Sequence, residues 1–395
     1  MKRGCVIGYD INEKGCQISY YDDSMEEPDT MMASSNNYLI PLVLGYFKDR
    51  WVFGKEAKRL AVVGEDCTET DLYGKAKRRE KVSLAGKTYD AVWLLAKYIS
   101  LTLQDFENIQ YLTFTTPETD VDMAKMLKGI GQHIGVDKEI INVQDYKESF
   151  CQYMIFQPKE LWQYESALFY CDEDRIKAYM LRRLRVDASH GMNSFVTVDE
   201  VANAQRKELE ALYPIMNKEK SPDESFKSMI ENVFEKKVIS SVYLTGEGFE
   251  KNWYPNSLRV LCNGRRAFMG NNLYSKGACY KSIRKCEPND DGPIYLDETK
   301  LTERICLRMR VDGQEGWYPL VTWGTHWYEA DGQWEVLLED ASDIEILVES
   351  LVDEEVQVEK VSLEGLPKRT DYSLRLQVEA MFLDERTCKL TFRDV

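Results

Sequence analysis

Two acidic bends in this 395-residue chain are where its residue types could do chemistry. The first lies in the run Arg3-Gly-Cys-Val-Ile-Gly-Tyr-Asp10-Ile-Asn-Glu-Lys-Gly15-Cys-Gln-Ile-Ser-Tyr-Tyr21. Asp10 sits where an apolar strand enters a tight polar turn. A carboxylate there could hold a hydrated metal ion or orient a water beside a phosphate. Taken alone, the segment also reads as an ordinary hairpin with a turn-forming Asp, because short motifs recur by chance. The second bend is Cys171-Asp-Glu-Asp174, between strand-like runs at 166–171 and 175–181. It repeats the first device: apolar strand, acidic turn, returning strand.

The surrounding pattern says what holds these bends. Cys5, Ile7 and Tyr9 alternate on one strand, and Cys16, Ile18 and Tyr20 on its return. Asn12 and Gly15 suit the turn because both tolerate positive φ. Residues 22–37 are acidic and rich in Met and Ser, and read as a mobile loop. Residues 38–44 read as a strand near a sheet edge, since Pro41 lacks a donor. A strand at 51–53 passes through Gly54 into a helix over 54–61. Ala91, Leu94, Leu95, Tyr98 and Thr102 share one helical face, as do Met123, Leu127, Ile130 and Ile134. Strands are expected at 111–115 and 139–143, so strands and helices alternate as in parallel βαβ units. In the second block, helices are expected at 199–212 and 223–234. A buried strand at 238–245 runs into Gly246-Glu-Gly248, and the stretch 264–281 ends in a helix.

Residues 286–293 combine charge, Pro and Gly and read as a linker. Beyond it, polar and apolar residues alternate at 304–311, 334–338, 344–351, 372–382 and 387–392, with Asp312-Gly and Asp331-Gly as turns. This is an all-β module of sandwich type. Trp317, Trp323, Trp327 and Trp334 either fill its core or form a ligand-binding patch.

Composition narrows the function. A net charge of −16 argues against nucleic acid or an anionic membrane as the main partner. The basic stretch at 75–79 reads as a solvated face. No run approaches the ~18 apolar residues of a membrane helix, and the N-terminus reads as a strand, not a signal peptide. The ten cysteines form no Cys-x-x-Cys pair and read as reduced residues of a cytoplasmic protein. His133, His190 and His326 are too scattered for a zinc site or a Ser-His-Asp enzyme.

The order of these pieces resembles the actin, hexokinase and heat-shock chaperone ATPase superfamily, most nearly its chaperone branch. Residues 4–21 are similar to the first phosphate hairpin, with Asp10 at the metal-associated aspartate. Ile40-Pro-Leu-Val followed by Trp51-Val-Phe-Gly-Lys-Glu-Ala-Lys-Arg59 is similar to the chaperone pattern Pro-Ser-Val…Val-Gly-x-x-Ala-Lys-Arg, the most specific match. Leu112-Thr-Phe-Thr-Thr-Pro117 resembles the strand Ile-Thr-Val-Pro, and Ile140-Ile-Asn142 the strand before Asn-Glu-Pro. Residues 166–181 fall at the second phosphate hairpin, with Asp172 at its aspartate. Val242-Tyr-Leu-Thr-Gly-Glu-Gly248 resembles the adenosine motif, and Tyr274-Ser-Lys-Gly-Ala278 the helix that closes the core.

The resemblance implies an α/β fold. Two actin-like (ribonuclease H-like) lobes, 1–165 and 166–287, would flank a cleft, with an all-β sandwich-like module at 294–395. It implies ATP or ADP with Mg²⁺ as ligand, Asp10 holding the metal through water, and Asn12, Lys14, Gly15, Gly246, Glu247 and Gly248 around the nucleotide. Asp10, Asp145 and Asp172 are the catalytic candidates, Asp145 because Val143 stands where the glutamate of Asn-Glu-Pro belongs. It also implies a protein or peptide partner for the β-module.

The departures bear on function. Ile11-Asn-Glu13-Lys14 replaces the small Gly and Thr residues whose backbone N–H groups wrap phosphates. Asp172-Glu-Asp-Arg175 replaces Asp-Leu-Gly-Gly-Gly-Thr, removing glycines and adding carboxylates. Two unit charges ~4 Å apart at an effective dielectric of 20 interact by about 4 kcal/mol, so these carboxylates oppose phosphate unless Mg²⁺ intervenes. The first reading is therefore a chaperone-like protein with a degenerate nucleotide site, acting in protein interaction or regulation. The second is a working Mg-ATPase, and the third a sugar or acid kinase.

Overall fold

Alternating apolar side chains and a short polar turn make residues 5–21 a hairpin, and two sheets are built outward from such hairpins. The computed structural model describes all residues except 1–3, 35–36, 64–66, 186–193, 206–220, 288–291, 339–342, 353–355 and 364–373. It divides into two units: Met1–Arg182 with Val198–Asp290, and Arg183–Thr197 with Asp291–Val395. The protein is thus a mixed α/β chain with an all-β C-terminal region.

The first unit holds two sheets of like topology. β1 (Cys5–Ile11) runs antiparallel to β2 (Gly15–Tyr21), and β3 (Asp29–Thr30) antiparallel to β2. β4 (Ile109–Thr116) lies parallel to β1 on its other side, and β5 (Ile141–Asp145) parallel to β4. The order is β5-β4-β1-β2-β3. In the second sheet β6 (Glu165–Cys171) pairs antiparallel with β7 (Arg175–Arg185), and β8 (Ser194–Gln205) follows β7. β9 (Ile239–Thr245) lies parallel to β6, and β10 (Arg266–Met269) parallel to β9. The order β10-β9-β6-β7-β8 repeats that of the first sheet.

Helices cover these sheets, and side chains start several of them. α1 (Gly54–Val63) begins at Gly54, whose φ of 60° favours glycine. Asp90 caps α2 (Ala91–Thr102), Asp120 caps α3 (Val121–His133) and Ser221 caps α5 (Pro222–Phe234), each accepting from an otherwise unpaired N–H of the first turn. α4 (Tyr146–Ile155) follows β5, α6 (Pro255–Leu261) follows β9, and α7 (Leu273–Cys286) follows β10.

α4 and α7, each following the fifth strand of its sheet, cross to the other sheet. Phe150 and Tyr153 of α4 meet Tyr243 of β9 edge-on, at 6.0 and 5.7 Å between ring centres. α7 lies on β1, where a Cβ on Gly8 would collide with the backbone of Ser275 and Cys279. Gly277 likewise lets α7 touch the Ser149 carbonyl of α4. Lys281 pairs with the buried Glu148 at 2.9 Å, which neutralises a charge that burial would otherwise make costly.

Some elements differ from the sequence expectation. Residues 199–205 are strand, not helix, and 206–212 fall outside the described residues. Within 38–44 the pairing is limited to Ile40–Pro41 and the start of Leu44–Phe47. The loop at 22–37 contributes Asp29–Thr30 to the first sheet.

The second unit carries two antiparallel sheets. β11 (Glu303–Val311), β12 (Gln314–Val321), β14 (Asp343–Ser350) and β15 (Val356–Ser362) form one, in the order β12-β11-β14-β15. β13 (Gly332–Leu338), β16 (Leu374–Asp384) and β17 (Thr387–Asp394) form the other, in the order β13-β16-β17. Asp312 and Gly313, both at positive φ, close the β11–β12 hairpin. Ile305, Leu307, Ile346 and Val378 make the core, with Trp327 and Trp334 packed against it. Trp323 packs with Phe195, Leu296 and Leu351, while Trp317 is 38% exposed. No helix among the described residues is long and apolar enough to cross a membrane.

Candidate functional site

Parallel pairing brings three strand ends of the first unit level. Asp10 lies opposite Thr115, and Thr115 opposite Gln144. Strand side chains alternate between faces, so Asp10 shares the face of Gly8, which α7 covers. Thr115 Oγ1 and Gln144 Nε2 both reach Ser149 Oγ of α4, at 2.7 Å each. Asp145 caps α4 by accepting from the Glu148 N–H at 2.8 Å, which puts Tyr146 in the first turn. The Tyr146 hydroxyl donates to Asp10 Oδ1 at 2.7 Å and accepts from Asn12 Nδ2 at 2.9 Å. Its ring stacks on Tyr274 of α7, with centres 3.7 Å apart and planes 7° apart.

Both hairpin turns bond part of their own backbone. Asn12 Oδ1 accepts from the N–H groups of Lys14 and Gly15 at 2.9 and 3.2 Å. Asp172 Oδ1 accepts from those of Asp174 and Arg175 at 2.7 and 2.9 Å. Two amides of each bend are therefore already bonded to a side chain of the bend itself.

A third loop meets the two hairpins. Lys14 Nζ forms an ion pair with Glu247, which lies just past β9. Burial pulls the Lys14 ammonium down, but Glu247, Glu173 and Asp172 together raise it above the ordinary lysine value. Gly246 has φ 101°, and its N–H donates to Asn271 Oδ1 at 3.0 Å. A side chain at Gly246 would strike the Cys171 carbonyl, and one at Gly248 the Cys171 Sγ. These glycines bring the loop against the second hairpin.

The electrostatics are acidic and aromatic. Asp10 is 3% exposed, and burial lifts its carboxyl to about 7, against the opposing hydrogen bond from Tyr146. Burial, then Asp172 and Asp10, raise the Tyr170 hydroxyl. Burial, then Tyr179, Tyr170, Asp10 and Asp145, raise the Tyr274 hydroxyl well above the usual value. Both acidic bends thus act on one group, Tyr170. Tyr73 is raised by burial and by Glu13 and Asp10. These phenols stay neutral at any physiological pH.

The structure brings together Asp10, Asn12, Lys14, Gly15, Asp172, Glu247 and both glycines of that loop. Asp145 is a helix cap, and its carboxylate also lies 3.9 Å from Lys147. Among the described residues, no three His, Cys, Asp or Glu side chains are grouped to hold a metal ion. Sequence reasoning missed Tyr146, Tyr170 and Tyr274. The available signal was Tyr146 directly after the capping Asp145, and Tyr274 at the head of an expected helix.

Fold and site together describe an α/β unit with a tyrosine-filled acidic junction, joined in the chain to an all-β module. The chain belongs to a family of unknown function, DUF5716, whose C-terminal part matches residues 27–298. Residues 300–395 match a domain of unknown function, DUF8552. No curated protein matches the sequence.

Proposed function

We propose that the first unit is a two-lobed fold of the actin, hexokinase and heat-shock chaperone ATPase superfamily whose phosphate site is degenerate. On this reading the protein works through protein interaction or regulation. The repeated strand order and the two crossing helices support the lobes. One observation supports a degenerate phosphate site: two turn amides of each hairpin are already bonded, to Asn12 and to Asp172. A phosphate oxygen would have to displace those bonds, and phosphate sites depend on free backbone donors. Lys14, the cation of the first bend, is held by Glu247. The β-module supplies the partner surface. Over 291–395 it carries 24 Asp and Glu residues against 11 Lys and Arg, so its partner is basic.

An active Mg-ATPase is the second reading, favoured by the place of Asp10 at its strand end and by the close-packed Gly246 and Gly248. Calorimetry and thermal shift with millimolar Mg-ATP and Mg-ADP separate the two. The degenerate site gives no saturable heat and no rise in melting temperature. A ligand at 100 times its Kd would stabilise the fold by about 2.7 kcal/mol. Tight binding, with steady hydrolysis abolished by Asp10→Ala, would overturn the first reading.

A further inference from the structure

Three elements of the first unit turn aromatic rings away from the cores they build. The strands Leu44–Phe47 and Arg50–Phe53 pair antiparallel, with Tyr46 opposite Trp51. Val52 packs with Val43 and with Ala57 of α1. Side chains alternate along a strand, so Tyr46 and Trp51 share the opposite face. On α2, Leu94, Leu95 and Tyr98 are buried, whereas Trp93 is 37% exposed. Asp90 accepts from the Trp93 N–H and fixes the first turn directly after Tyr89. The four rings meet. Trp51 lies 5.2 Å from Tyr46, 5.8 Å from Tyr89 and 5.8 Å from Trp93, at 67°, 71° and 60° between planes. Tyr89 and Trp93 stack at 5.4 Å and 12°. None of the four is fully buried. Neither their hydroxyls nor their indole N–H groups bond to another described residue. A contiguous aromatic patch on faces that the cores do not use marks a contact surface.

We propose that this patch binds a proline-rich segment of a partner protein in the polyproline II conformation. Trp51 stands at a steep angle to its three neighbours, so the patch is ridged, as are the aromatic surfaces that take such segments. A sugar would instead stack on one flat exposed face. An indole N–H donates and cannot accept. A proline segment offers the reverse, carbonyl oxygens on a backbone with few N–H groups. It is extended before it binds, so little ordering opposes docking. Arg50, beside Trp51, is already paired with Glu56, which suits a neutral ligand. The patch shares no residue with the hairpin turns, so the inference does not depend on whether nucleotide binds. It adds a second partner surface to that of the β-module.

The test is isothermal calorimetry on the full chain with an acetylated, amidated decaproline. A Gly-Ser peptide of the same length controls for peptide backbone, cellohexaose for sugar, and sedimentation reads self-association. We expect saturable binding of decaproline and none of the Gly-Ser peptide. Trp93→Ala, at an outward helix position where alanine favours the helix, should raise Kd about tenfold with circular dichroism unchanged. Trp93→Phe keeps a ring and removes the donor, and should raise Kd about fivefold. No saturable heat with decaproline, or equal binding of the Gly-Ser peptide, would overturn the proposal. So would a Kd unchanged within twofold in Trp93→Ala, or in Trp93→Phe should the first variant not fold. Binding of cellohexaose in place of decaproline would give the patch to a sugar. A dimer that excludes decaproline and is dissolved by Trp93→Ala would give it to a second copy of the chain. Either result also overturns the proposal.

Discussion

Asp10 makes a quantitative prediction about pH. Its carboxyl is raised by burial from an ordinary 3.8 to about 7, with the Tyr146 hydroxyl as its hydrogen-bond donor. In the unfolded chain it ionises near the ordinary value. Between these two values the folded protein therefore holds a proton that the unfolded chain has released. The folded state binds more protons there, so the Asp10 contribution to stability falls as pH rises through the window and levels off above about 7. Roughly three pH units at 1.36 kcal/mol each give a total of about 4 kcal/mol. Asp10→Asn removes the titration, while its side-chain oxygen still accepts from Tyr146. Urea unfolding of both proteins at pH 5 and pH 8, in amine-free buffer, reads the difference directly. Other titrating groups are common to both proteins and cancel. The variant should gain about 2–3 kcal/mol on the wild type between pH 5 and pH 8. A difference constant within about 0.5 kcal/mol, or one that moves toward the wild type as pH rises, would refute the argument.

Two further perturbations probe the frame around the site. Gly277→Val places branched carbons where the Ser149 carbonyl of α4 now lies, and should lower stability by about 3 kcal/mol in thermal or urea unfolding. Lys14→Ala breaks a pair whose side chains are 48% and 41% exposed, so it should cost about 0–1 kcal/mol, and less at high salt.

Periodicity made much of the frame legible. The hairpin at 5–21, the apolar faces of α2 and α3, and the alternation in the C-terminal strands all follow from burial on one face. Where the pattern failed, tertiary pairing overrode local preference. Residues 199–205 include Glu200, Ala202, Ala204 and Gln205, which favour helix, yet they pair beside β7 as strand. α4 escaped notice because burial runs around it: Glu148, Ser149 and Gln152 are buried along with Phe150, Cys151 and Met154, so no apolar stripe stands out against a polar face. The site was half legible. Asp10, Asn12 and Asp172 were visible as turn residues, because bends need short polar side chains. Their tyrosine partners were not, because Asn12 and Tyr146 are 134 residues apart and no local spacing encodes that contact.

What the sequence could least convey is that the chain supplies its own contacts across the junction. Tyr146 stacks on Tyr274, Lys14 reaches Glu247, and Gly277 seats α7 on α4. Each contact joins the first sheet or its helix to an element of the second half, without any ligand. A molecule entering between the hairpins has to compete with them. An anion must strip Lys14 from Glu247 and find donors among amides already bonded, all within a field of carboxylates. How readily an anion finds donors here is therefore set by how the turns cap themselves, through Asn12 and Asp172.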